Sequence, residues 1–246
     1  MDLSALQTAG ALLSGPDVPR WQPGLACPVH CEIFASGTEG SGPAAALALA
    51  LDGLRAAGPG QAHERSVLWV QDAASLRLTG RPYRPGLPRT LRHRLIHVQT
   101  TRPEDTLFAL EEGVRCRDLA CVIGEIAGNP KTLDFTASRR LSLTAEKHGV
   151  PLFLVRLDAA RDLSSARMRW QVRAAPSLRP RWNAQAPGAP AWHAELFRAR
   201  GHTPGEWILR DDGPVLAADR PAAHDARTPD HGDLAAAAGG RSLAAS

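Results

Sequence analysis

Eight residues, Gly37-Thr38-Glu39-Gly40-Ser41-Gly42-Pro43-Ala44, lie between an apolar run at 30–35 and an alanine-rich stretch at 44–57. The glycines at 37 and 42 fit G-x-x-x-x-G, the opening of a phosphate loop that would continue with lysine and then serine or threonine. In such a loop, backbone N–H groups and a helix N-terminus hold phosphate oxygens. The lysine reaches the β- and γ-phosphates, and the hydroxyl binds Mg²⁺. Pro43 replaces that lysine here, and Ala44 replaces the hydroxyl residue. Pro43 also deletes a backbone N–H at the helix start, and Glu39 puts a negative charge in the loop. Each change weakens anion binding. The spacing also fits an ordinary strand-to-helix turn, because the chain has 22 glycines.

A hydrolase would need more parts. An acid at the end of an apolar strand would hold Mg²⁺ through water, and Glu125 in Leu119 to Ile126 is the candidate. Asp72, at the end of SVLWVQD, is a candidate water-activating acid. Lys131, after a strand end, is where a displaced lysine would reach back. Without the loop lysine and hydroxyl these parts do not make a working site, so no ATP hydrolysis, catalytic residue or cofactor is expected. The degenerate nucleotide loop is defined by Gly37, Gly42, Pro43 and Ala44.

A second constellation is basic. Arg161, Arg167, Arg169, Arg173, Arg179 and Arg181 face a single acid, Asp162, with Trp170 and Trp182 interleaved. Arginines on phosphates with aromatic stacking hold single strands. The same residues also read as a half-exposed strand with its arginines outward and Met168, Trp170 and Val172 inward. Both readings stand at this level. Arg139 and Arg140 are candidates for a DNA or partner contact, or else a solvated helix face.

No metal site is expected. Cys27-x3-Cys31 and Cys116-x4-Cys121 are poor zinc spacings, and Cys31 and Cys121 read as small core residues on strands. His93 and His97 are four apart but fall in a strand.

These residues need a frame. Strand candidates are 30–35, 66–71, 94–99, 119–126 and 151–157. Helix candidates follow Pro43 and cover 103–117 and 132–148. Pro103 sits near the first helical position with Glu104 and Asp105 in the first turn, and Gly149 then Pro151 close the last helix. Strands alternating with helices predict an α/β fold with a parallel sheet covered on both faces. After residue 165 the helices stop. Residues 167–174, 192–200 and 206–210 read as strands of an antiparallel β-hairpin extension. The expected division is an N-terminal helix and connector at 1–29, one domain at 30–212 and a disordered tail at 213–246. Trp192, Phe197 and Trp207 are candidates for a partner-binding hairpin, since aromatic residues concentrate binding energy; the two tryptophans also read as packing the hairpin onto the core.

The 246 residues carry a formal charge of +4, and only Lys131 and Lys147 among the 29 basic residues are lysines. No run approaches the length of about 20 apolar residues needed to span a membrane, and the start lacks a secretory pattern. A cytoplasmic address without membrane contact is expected.

The chain resembles the ImuA family of bacterial inducible-mutagenesis proteins, which are RecA-like and have also been labelled SulA-like. The carrying segments begin with Glu32-Ile33-Phe34-Ala35 and its alanine-rich helix, then Arg81-Pro82-Tyr83-Arg84-Pro85-Gly86-Leu87 and Phe108 to Arg115. Leu119 to Glu125, Leu133 to Leu141, Ser165 to Trp170, Ala186 to Pro190 and Pro204 to Trp207 complete them. The resemblance implies a RecA-type three-layer core without a working phosphate loop. It also implies DNA-damage tolerance within the SOS response, beside an ImuB-like relative of Y-family polymerases and an error-prone C-family DNA polymerase. RecA and single-stranded DNA are further partners it suggests. A live ATPase with a variant loop and a SulA-like division inhibitor are the competing functions; nothing in the sequence supports the latter.

Overall fold

The computed structural model describes residues 18–26, 29–58, 64–183, 185–212 and 215–221. Residues 1–17, at the start of the expected N-terminal helix and connector, and most of the expected tail lie outside these residues.

Nine strands form one sheet in the order β3-β2-β4-β5-β1-β6-β7-β8-β9. They are β1 His30–Ala35, β2 Ser66–Asp72, β3 Leu95–Thr100, β4 Leu119–Ala127 and β5 Leu152–Leu157, then β6 Met168–Ala174, β7 Ala191–Ala199, β8 Gly205–Asp211 and β9 Leu216–Asp219. The first six pair in parallel, and β6 to β9 continue as an antiparallel meander. The expected α/β sheet with an antiparallel extension is therefore present.

Helix α1, Ser41–Ala56, covers one face. Its Ala45, Ala46, Leu49 and Ala50 pack on Ile33, Phe153, Val155 and Trp170 in one core. Helices α3, Pro103–Arg115, and α4, Phe135–His148, cover the other face over Leu68, Val122 and Leu154. Short apolar strands buried on both faces need such cover, because a parallel sheet leaves no face for water.

Local chemistry explains where the boundaries differ from expectation. Helix α4 starts at Phe135 rather than 132, because the Asp134 carboxylate accepts the Ala137 N–H at 2.7 Å and caps it. A short helix that sequence reading missed, α2 Ala73–Thr79, is capped by Asp72 in the same way, from Ser75 N–H at 2.6 Å.

Two domain limits move outward. Trp21, placed in a separate connector by sequence, is buried edge-on against Trp170 and Trp207, with ring centroids 4.8 and 5.6 Å away. At the other end the sheet runs past Asp212, since β9 pairs with β8 and buries Leu216.

Candidate functional site

The degenerate loop joins β1 to α1. Neither Gly37 nor Gly42 has a positive φ; at Gly42 close approach, not backbone handedness, requires glycine. A Cβ on Gly42 would lie 2.7 Å from Ala35 Cβ and 3.0 Å from Val155 Cγ1. The helix start is thus pressed onto the sheet. A Cβ on Gly37 would lie 2.5 Å from Asp158 Oδ2 and 2.8 Å from Leu78 Cδ1.

Asp158 is the residue that sequence reading missed. It follows β5 with φ +50°, the one non-glycine positive φ among the described residues. Its Oδ1 accepts the Gly37 N–H at 2.9 Å and faces Ser36 Oγ at 3.4 Å. Ser36 Oγ also accepts the Thr38 N–H at 3.2 Å. Three backbone donors at the start of the loop, on Gly37, Thr38 and Glu39, are thus held by the protein's own oxygens. The signal was a carboxylate one residue beyond a buried parallel strand, at the sheet end where ligands of α/β proteins bind.

Glu39 does not point into the loop as expected. Its Oε2 accepts the Ala174 N–H at 2.7 Å, fastening the loop to the end of β6. Pro43 is buried, Ala44 is exposed, and the buried Ser41 hydroxyl has no hydrogen-bond partner among the described residues.

The two acid candidates, Glu125 and Asp72, are taken up by hydrogen bonds of the fold. Glu125 is buried, and its Oε1 accepts Trp69 Nε1–H at 2.6 Å and Gln71 Nε2–H at 3.1 Å, while Oε2 lies 2.7 Å from Thr79 Oγ1. Burial pushes its carboxyl above the usual range, those hydrogen bonds pull it back, and the charge on Asp72 adds to the rise. Asp72 is the cap of α2. Lys131 is exposed in the turn before α4 and makes no ion pair among the described residues. A cavity of about 380 Å³ adjoins the loop, walled by Pro43, Leu47, Trp69, Tyr83, Glu125 and Trp192. It is largely apolar, and no lysine lines it.

The basic cluster divides into two halves. Arg169 is buried and pairs with Glu32, Nε to Oε2, at 2.7 Å. Trp170 is 1% exposed in the core. Neither can reach DNA, which corrects the reading of both as surface contacts. Buried guanidinium needs a buried anion, and Glu32 supplies it; Ser164 Oγ donates to its other oxygen at 2.7 Å. Arg167 pairs with Glu146, and Arg161 pairs with Glu195 at 2.9 Å above the Phe197 ring. In contrast, Arg173, Arg179 and Arg181 are exposed and make no ion pair among the described residues, and Trp182 is 80% exposed.

Of the helix pair, Arg140 bonds Glu111 at 2.6 Å, while Arg139 is exposed without an ion pair among the described residues. The expected partner hairpin fares differently. Trp192 and Trp207 are buried against the core and Phe197 is half-buried under Arg161. The two tryptophans hold the meander onto α1 instead of facing outward. Cys31 and Cys121 are buried strand residues, and no helix among the described residues is long and apolar enough to cross a membrane.

No protein-family model matches the chain. Curated relatives do. The proteins called Protein ImuA from two Caulobacter vibrioides strains are each 32% identical to it over 197 residues, covering 73% of this chain and 73% of the relative.

Proposed function

The chain belongs to the ImuA family, and on that premise we propose that it is a non-catalytic, RecA-like accessory protein of SOS-induced, error-prone translesion DNA synthesis. It docks an ImuB-like Y-family homologue and an error-prone C-family DNA polymerase, and engages RecA in the cytoplasm. The observation that carries the non-catalytic reading is the Asp158 carboxylate on the Gly37 N–H at 2.9 Å. The carboxylate already occupies a backbone donor at the start of the loop, and a phosphate brought beside it is repelled. Without lysine at 43, the transferring phosphoryl group also lacks its charge stabiliser.

The competing ATPase reading would need Glu125 turned toward Mg²⁺. Its oxygens are instead taken up by Trp69, Gln71 and Thr79, which favours the accessory role. Nothing in the site favours a division inhibitor.

The test is genetic and biochemical together. Deleting the gene should leave undamaged growth normal and suppress mutation after ultraviolet light. Co-expression with the ImuB-like protein should give a complex that survives gel filtration, and purified protein should not turn over Mg²⁺–ATP with single-stranded DNA. Normal induced mutation in the deletion strain, with no association, overturns the proposal.

A further inference from the structure

The loop between β6 and β7 is the strongest feature that the proposed function leaves unused. With the end of β6 that leads into it, residues 173–190 contain Arg173, Arg179 and Arg181 and no acid. Every other arginine of the basic cluster is neutralised by a named carboxylate, whereas these three are exposed without an ion pair among the described residues. Trp182 is 80% exposed and Leu178 is 65% exposed. An exposed tryptophan is unusual in a chain whose Trp21, Trp69, Trp170, Trp192 and Trp207 are all buried.

The loop is built. Asn183 caps a turn, its Oδ1 accepting the Gln185 N–H at 2.9 Å and its carbonyl the Ala186 N–H at 3.1 Å. The returning arm closes on the outgoing one, since a Cβ on Gly188 would lie 1.9 Å from the Leu178 carbonyl oxygen. That turn presents Trp182 next to Arg181, with Arg179 two residues further back. Glu39 spends its carboxylate on the Ala174 N–H at the end of β6.

We propose that this loop is a stacking and charge platform for single-stranded nucleic acid, with Trp182 stacking on a base and Arg173, Arg179 and Arg181 meeting its phosphates. A flat aromatic face free in solvent accepts any base, and neighbouring guanidinium groups track the backbone without reading sequence. The site goes beyond the accessory role and is tested on purified protein, so its failure leaves the mutagenesis phenotype untouched.

The experiment titrates full-length protein into a fluorescently labelled oligothymidylate of roughly 20 nucleotides, longer than a typical site of about 4–16. Anisotropy and tryptophan quenching are both followed. Three phosphate contacts predict a slope of log affinity against log salt of about −2, and removal of one arginine flattens it by about 0.7. Trp182→Ala should weaken binding at least about fivefold and Trp182→Phe much less. All these side chains are exposed, so the variants should melt like the wild type. Lys147→Ala serves as the control, an exposed cation on α4. Absence of saturable binding overturns the proposal. So does equal loss with Lys147→Ala, or variants that bind the oligonucleotide normally yet lose a protein partner, which would make the loop a protein contact.

Discussion

Asp158 Oδ1 lies 2.9 Å from the backbone nitrogen of Gly37, placing a carboxylate from the end of β5 on the first glycine of the degenerate loop. Asp158→Ala removes this charged acceptor and leaves alanine at a positive φ. A hydrogen bond to a charged group contributes about 1.5–3 kcal/mol. At about 2–4 °C per kcal/mol for a chain of this size, the melting temperature should fall by several degrees. Neither Asp158→Ala nor Asp158→Asn should bind Mg²⁺–ATP in a calorimetric titration, because Pro43 and Ala44 remain. Tight ATP binding by either variant would show that the carboxylate alone blocked the site.

The buried pair Glu32–Arg169 predicts a contrast with the exposed pair Arg167–Glu146. Removing one partner of a buried pair leaves an uncompensated charge and costs roughly 3–5 kcal/mol. Arg169→Ala should therefore destabilise the chain strongly, in urea melts, whereas Arg167→Ala should change stability by less than about 1 kcal/mol. Similar small effects from both would show that Arg169 is not held as described.

His30 makes folding depend on pH. It is fully buried beside Ser142, and burial, with Arg169 adding and Glu32 opposing, lowers its pKa to about 4 from an ordinary 6.5. Between those values the unfolded chain binds a proton that the folded chain refuses. Stability from this group is complete above about pH 6.5 and declines as pH falls toward 4, by roughly 3 kcal/mol at most. The raised carboxyl of Glu125 slopes the other way, so the reading is the difference between wild type and His30→Gln at each pH. A pH-independent difference would contradict the assignment.

Truncation locates the C-terminal boundary. A chain ending at Asp212 loses Leu216, which is 1% exposed in the core, together with the β8–β9 pairing. Full burial of a leucine contributes about 1.5–3 kcal/mol, so this truncation should melt well below the full chain. A chain ending at Pro221 should melt within a few degrees of it, because residues 222–246 hold only two leucines among alanines and polar residues. Equal melting of both truncations would place the boundary before β9.

The sequence by itself determined the loss of the loop lysine and hydroxyl, and the alternation of strands and helices, since both are written in adjacent residues and local periodicity. Pro43 needs no tertiary context to be unable to hold a phosphate. It also fixed that Met168, Trp170 and Val172 share one face of β6, which α1 covers. Only the tertiary structure decided what happens on the opposite face of β6. There Arg169 is buried on Glu32, 137 positions earlier in the chain, while Arg173 stays in solvent. An alternating pattern names two faces but not what covers them. For the same reason the partner of Gly37, 121 positions away, and the place of Trp21 beside Trp170 were invisible. Parallel pairing brings strand ends together across crossovers, and the cost of burying a charge or a ring is settled by the neighbours that the fold supplies.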